Sequence, residues 1–459
     1  MSRKVLASIL TLVIFCQMFL TSCGLINPDM FGNNDTGNNV NDSNSNVSDK
    51  NEEDTQDKDS DQTSDKVVTS IDVPDRFKSE YTIDRAKLER AAAAATEKLL
   101  EMYEESDGKF PKTTSTNYQY IYGANNNWTC GMYTGSYLMA YLLTGDKRFE
   151  NIVSEHVDSF IQREANRVGM DDHDVGFAFM PSCIGAYKVF GWENARDAAI
   201  RAVDYYYDTS YSKEGKFIIR VHSNWDNGSG CRTMIDSMMN ASLFYWSGEY
   251  LGNSDYSTAA IDHTLTSVDL LVRDDGSTYH HYLFDPQTAK PLYGLTWQGY
   301  DDESCWSRGQ SWGIYGFSIA YSYTGNEQIK KAQEDVALYM LNNLPTDIIP
   351  YWDYTFTSGS EPRDTSAAAI AVCGLLDMAE QLPEDSELRI VYESAAAQLM
   401  EALIDFYTIE IGVDYDGLIW GSTHAKPQGT GIEECAPFAD YFYMEALARY
   451  LCDDFVRPW

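Results

Sequence analysis

Twelve stretches of this chain repeat their apolar residues at intervals of three and four, the period of a helix with one face turned to a core. They run over 86–103, 135–146, 149–164, 177–191, 193–208, 234–250, 255–272, 309–325, 327–343, 365–381, 386–407 and 438–452. Strand patterns are scarce, and "KFIIRVH" (216–222) is the best of them. Short turns such as "TGD" and "TGN" join several pairs, which sets consecutive helices antiparallel. Six hairpins in a row close into a ring of six inner and six outer helices, or stack into an open solenoid. Spacing alone leaves both open.

Between the helices lie long polar and aromatic loops at 117–134, 209–233, 274–308, 345–364 and 410–436. They follow alternate helices, as they would if all emerged at one end of a barrel. Loops of this length on a regular scaffold carry function. The chain is rich in rings, with 32 Tyr, 19 Phe and 10 Trp. Flat rings with polar edges suit clefts that stack on sugar faces, although a large aromatic core accounts for them equally well.

The first 23 residues, "MSRKVLASILTLVIFCQMFLTSC", have a basic start and an apolar run, the pattern of a signal peptide. The sequence Leu20-Thr21-Ser22-Cys23 resembles a bacterial lipobox, with Cys23 the lipid-modified residue. Residues 24–75 are Asn, Asp, Ser and Thr with few apolar side chains, and are expected to be a disordered acidic linker. Residues 76–459 form the folded domain. The expected location is extracytoplasmic, lipid-anchored to a bacterial cell membrane. No other stretch is apolar and long enough to span one.

Net charge is −36, most of it beyond residue 66. A surface so acidic repels nucleic acid, and an anionic substrate would need local cations at its site. Nine cysteines, none in CxxC spacing, indicate neither a disulfide framework nor a zinc site. The chain carries no Gly-rich phosphate loop, Ser-His-Asp arrangement or HExxH motif. No cofactor and no metal are expected, and the oligomeric state is left open.

Two carboxylates stand against apolar helical runs. Asp174 lies in "DDHDVGFAFM" (171–180), and Asp236 lies in "RTMIDSMMN" (232–240), sharing a helix face with Asn240. Each also suits a bland role. Asp174 is placed to cap a helix, and Thr233-x-x-Asp236 reads as a capping box. In "WQGYDDESCWSRGQSWGIYG" (297–316), Arg308 stands among Trp, Gln and Tyr, a setting for clamping a carboxylate.

Seven motifs in order, "NWTCGMYTG" (127–135), "DHDVGFAF" (172–179), "IDSMMN" (235–240), "WQGYDDESCWSRGQSWGIYGF" (297–317), "PYWDY" (350–354), "RDTSAAAIAVCGLLDM" (363–378) and "ADYFYMEALAR" (439–449), resemble the unsaturated glucuronyl hydrolases of glycoside hydrolase family 88. The resemblance implies an all-α fold, an α6/α6 barrel of twelve helices in six hairpins. It implies a hydrolase that removes a 4,5-unsaturated uronic acid from the non-reducing end of lyase-generated oligosaccharides of glycosaminoglycan type. The C4=C5 double bond is hydrated, and the hemiketal at C5 opens to release the sugar.

By the same resemblance Asp236 is general acid and then base, and Asp174 is the carboxylate that shares its proton. Trp128, Trp225 and Trp312 are stacking walls, with Trp225 in a local pattern that departs from the family's usual spacing. His280 and Gln298 hydrogen-bond the sugar, and Arg308 meets the uronate. The loop "GSTHAKPQG" (421–429) faces the second sugar, with Lys426 a candidate for a sulfate. The alternatives are an unsaturated rhamnogalacturonyl hydrolase on the same barrel, an inverting glycosidase and, from another class, a sugar-binding surface lipoprotein. A binding protein has no use for Asp236.

Overall fold

The computed structural model describes residues 72–220, 231–409 and 412–459. The expected signal peptide, Cys23 and almost all of the linker therefore lie outside the described residues. The described chain begins beside the core, with Val73 and Phe77 already buried.

Twelve long helices follow. They are α1 (Arg85–Ser106), α2 (Cys130–Thr144), α3 (Lys147–Ala165), α4, α5 (Glu193–Ser210), α6, α7 (Ser254–Leu271), α8 (Ser307–Thr324), α9 (Glu327–Asn343), α10 (Thr365–Glu380), α11 (Glu387–Phe406) and α12 (Pro437–Leu451). Helix α4 opens as Val175–Phe179, widens into a π-helical stretch at Met180–Ile184 and ends as Gly185–Phe190. Pro181, which lacks an N–H, sits in the wide stretch. Helix α6 comprises Ser237–Asn240 and Ser242–Leu251. All twelve expected helical segments are present.

Even- and odd-numbered helices differ as their sequences do. In α3 only one stripe is buried, including Phe149, Ile152, Val153, Val157 and Phe160. In α8, α10 and α12 nearly every side chain is buried. The even-numbered helices pack in order, α2 on α4, then α6, α8, α10 and α12, and α12 returns to α2. The ring is closed, so the solenoid alternative is excluded and the fold is an α6/α6 barrel. The run "TSAAAIAVCG" in α10 shows what the inner ring needs, small residues that let helices approach on every side.

The hairpin turns explain the topology locally. Gly145 ends α2 in the left-handed region (φ 66°), and its N–H bonds back to Tyr141 O at 2.7 Å. The next residue, Asp146, caps α3 by accepting the Arg148 N–H at 2.8 Å. Thr324-Gly325-Asn326 repeats the device between α8 and α9. Because such tight turns always leave an inner helix for an outer one, the long segments all lead into inner helices. All six inner N-termini therefore open at one end of the barrel.

The long segments carry the strands. Strands β1 (Phe110–Pro111) and β2 (Tyr122–Gly123) form one antiparallel pair, and β3 (Tyr211–Ser212) and β4 (Phe217–Ile218) another. Strands β5 (Arg232–Met234), β6 (His281–Phe284) and β7 (Pro291–Leu295) form an antiparallel sheet, with Thr233 opposite Tyr282 and Tyr282 opposite Gly294. The expected strand at 216–222 is reduced to two residues within its described part. The sheet that matters was not evident, and it takes Met234 out of the helix expected from 234. The described cysteines form no disulfide, and five of the seven are buried.

Candidate functional site

A cleft of about 280 Å³ opens among the inner N-termini. Its walls include Trp128, Trp297, Trp306 and Trp312, with Phe177 beside them. Phe177 packs between Trp128 (5.4 Å between ring centroids) and Trp312 (5.1 Å). A larger hollow of about 580 Å³ lies at the opposite end, near the C-terminus of α2, and no aromatic ring lines it.

Asp174 and Asp236 each occupy the residue before an inner helix, α4 and α6 respectively. Neither carboxylate caps its helix. The capping alternatives open in the sequence are thereby removed, and both groups are available for chemistry. What brings them together is the contact of α4 with α6. Gly176 lies so close to Asn240 that a Cβ built there would stand 2.5 Å from both the Asn240 Cα and its carbonyl oxygen. Asn240 Oδ1 accepts the Phe177 N–H at 2.7 Å, and its Nδ2 lies 3.5 Å from Asp174 Oδ1.

Between the two carboxyls stands His173, a residue to which the sequence reading gave no role. Its Nε2 lies 3.3 Å from Asp174 Oδ1 and 3.3 Å from Asp236 Oδ1. Its Nδ1 lies 2.5 Å from Asp172 Oδ1. Burial works against charge on this ring, but Asp174, Asp172 and Asp236 outweigh it and push its pKa up to about 10. Asp174 is pushed up to about 7, by burial first, with His173 opposing and Asp172 and Asp236 adding. Asp172 goes the other way, its burial overcome by the neighbouring imidazolium. Donor atoms of Asp172, His173 and Asp174 fall within 4.8 Å of one another.

The other expected residues divide. Trp128, Gln298, Arg308 and Trp312 line the cleft. Gln298 donates through Nε2 to His424 O at 2.7 Å. Arg308 is buried, and its charge is matched by Asp364 at 2.7 Å. It also donates to Thr423 O at 2.8 Å and His424 O at 2.5 Å, which ties down the loop at 421–429. The bare clamp expected from the sequence is thus one half of an ion pair. Arg220, not foreseen, also lines the cleft.

His280 stands behind the wall, its ring 4.3 Å from that of Trp306. Its Nδ1 accepts the N–H groups of Trp297 and Gln298, each at 3.2 Å, which puts its own proton on Nε2, a buried atom without a partner among the described residues. Lys426 pairs with Glu361 at 2.9 Å and covers Trp352. Trp225 lies outside the described residues. Trp297 and Trp306 were within reach of sequence reasoning, because both flank Arg308 in one aromatic motif. Asp172 and His173 adjoin Asp174, but nothing in their spacing shows which way the ring turns.

A helical barrel whose aromatic cleft ends on two converging carboxyl groups is a framework for processing glycosides. Residues 102–431 match the model of Glycosyl Hydrolase Family 88. The unsaturated chondroitin disaccharide hydrolase of Streptococcus agalactiae is 35% identical over 84% of this chain and 97% of its own length. The crystal structure of unsaturated glucuronyl hydrolase from that organism superposes with a TM-score of 0.81 at 35% identity, covering 85% of this chain and 98% of the other. A mutant of it complexed with dGlcA-GalNAc6S matches at a TM-score of 0.76 and 34% identity, over 85% and 98% of the two chains. The chain belongs to glycosyl hydrolase family 88, and it is a glycoside hydrolase.

Proposed function

We propose that the protein removes the 4,5-unsaturated uronic acid from the non-reducing end of glycosaminoglycan disaccharides, those of chondroitin type foremost. The observation that carries this reading is the pair Asp174 and Asp236, uncapped at two inner N-termini and converging on one ring nitrogen at an aromatic cleft. The nearest oxygens of the two carboxyls each lie 3.3 Å from one ring nitrogen, so the members of the pair sense each other's charge. The relatives named for chondroitin disaccharide and the complex with dGlcA-GalNAc6S favour the glycosaminoglycan substrate over the rhamnogalacturonyl one.

The unsaturated ring stacks against Trp128 and Trp312. Its carboxylate meets Arg220 and Arg308, aided by the positive ends of the inner helices. Asp236 delivers a proton to C4, and the ring oxygen shares the positive charge that develops at C5. The charge lies against the carboxylate of Asp174. Water adds at C5 as Asp236 takes back a proton. The resulting hemiketal opens, the bond from C1 to the second sugar breaks, and both products leave.

A lipid on Cys23 and the acidic linker after it would hold the barrel at the outer face of a bacterial membrane, where short oligosaccharides arrive. This part of the proposal is supported by the sequence from Met1 to Cys23.

The deciding experiment mixes the protein with unsaturated disaccharides of chondroitin, hyaluronan and heparin and follows ultraviolet absorbance of the conjugated double bond. Loss of absorbance in the native protein, absent in Asp236→Asn, is the expected result. Unchanged absorbance with all three would remove the proposed activity. Tight binding of a disaccharide without turnover would point to the binding-protein alternative.

A further inference from the structure

The loop before α4 spends three consecutive residues, Asp172, His173 and Asp174, on one small space, and only Asp174 has a part in the reaction described above. His173 is almost wholly buried. Its orientation is set from both sides. Asp172 engages Nδ1 at 2.5 Å, and the Tyr206 hydroxyl donates to the His173 carbonyl at 2.8 Å from α5. This leaves Nε2 facing the nearest oxygens of both reacting carboxyls at equal distance. A buried carboxylate pair is costly unless a cation compensates it. Arg308 is paired with Asp364, and among the described residues the cation within ion-pair distance of both members of the pair is the imidazolium of His173.

Resting on the acid–base roles proposed for Asp236 and Asp174, we propose that His173 is a positioning residue whose charged ring, with Nε2 in ion-pair range of both carboxyls, holds them at one separation and tunes how tightly the pair keeps its proton, with Asp172 fixing the ring. Nδ1 is hydrogen-bonded to Asp172, while Nε2 makes no hydrogen bond and meets the two carboxyls as a charge 3.3 Å from each. The three neighbouring carboxyls favour the cationic ring against its burial. In this role it acts as a local positive charge and not as the proton donor.

The groups facing this cluster do not replace it. Arg220, next to β4, lowers the pKa values of Asp172 and Asp174, but it comes after His173 among the causes acting on each. His263 of α7 is buried and held neutral, its pKa lowered to about 3. His281 of β6 is likewise kept neutral by burial and by Arg232 and Arg220. Tyr206 is a neutral phenol, raised by burial.

The test is the pH profile of kcat/KM for His173→Gln, which keeps a donor and removes the charge. Without the cation the pair holds its proton more tightly. The limb on which activity falls with rising pH should move to higher pH by ~1 unit or more, with kcat reduced at neutral pH and KM little changed. The full chain also gives a direct reading that does not depend on a variant's folding. Nitrogen NMR should show His173 protonated on both ring nitrogens at pH 8. An unmoved limb in a folded His173→Gln, or a neutral His173 ring at pH 7, would overturn the proposal while leaving the roles of Asp236 and Asp174 intact. Full activity of Asp236→Asn would instead remove the reading on which it rests.

Discussion

Asp236 and Asp174 have similar settings, one residue before an inner helix with a carboxylate that caps nothing, yet they are assigned different roles. Asp236→Asn keeps the shape of the cleft and removes the proton carrier. Turnover should fall by ~10²–10⁴-fold with KM nearly unchanged, measured by loss of absorbance of the unsaturated disaccharide. Asp174 carries a pKa raised to about 7, by burial first, so its carboxyl keeps a proton to higher pH than an exposed one and loses it as pH rises through that value. Asp174→Asn removes the neighbouring negative charge that favours retention. The alkaline limb of the kcat/KM profile should therefore move to lower pH, opposite to the shift expected for His173→Gln. A profile that stayed in place would show that the two carboxyls are not coupled.

At the scale of elements, the site depends on how closely α4 and α6 approach. A methyl group at residue 176 would collide with the backbone of Asn240, which has no rotamer with which to yield. Gly176→Ala should force the helices apart, cost ~1–3 kcal/mol of stability and separate Asp174 from Asp236. Calorimetry and turnover measured together check this, because activity should fall by more than the loss of folded protein explains. The glycines at the hairpin turns differ. Gly145 and Gly325 face open space and are needed for their positive φ alone. They set the hairpins but do not touch the chemistry.

At the scale of the molecule, an acidic protein must admit an anionic substrate. The barrel answers with arrangement rather than with net charge. Six inner helices point their N-termini at one end, and Arg220, Arg308 and the His173 imidazolium gather there. The proposed lipid anchor makes a separate prediction. Cys23→Ala should release the protein from the membrane fraction with its activity on disaccharides retained. A variant that stayed in that fraction would rule out the lipobox reading.

Helical period and turn chemistry act within a few residues, so they are open to inspection in the chain. Twelve apolar repeats and the "TGD" and "TGN" turns were enough to place every long helix and to put the long loops at one end. The two carboxylates and two of the cleft's four tryptophans, Trp128 and Trp312, were legible for the same reason, since each sits in a motif with its neighbours. The remainder depends on pairs far apart in sequence. That β5 joins β6 and β7, that α12 meets α2 and closes the ring, that Asp364 occupies Arg308, and that His173 turns its ring toward both Asp174 and Asp236 are facts of packing. No local pattern encodes them, because each partner is chosen by what the folded barrel brings within a few ångströms.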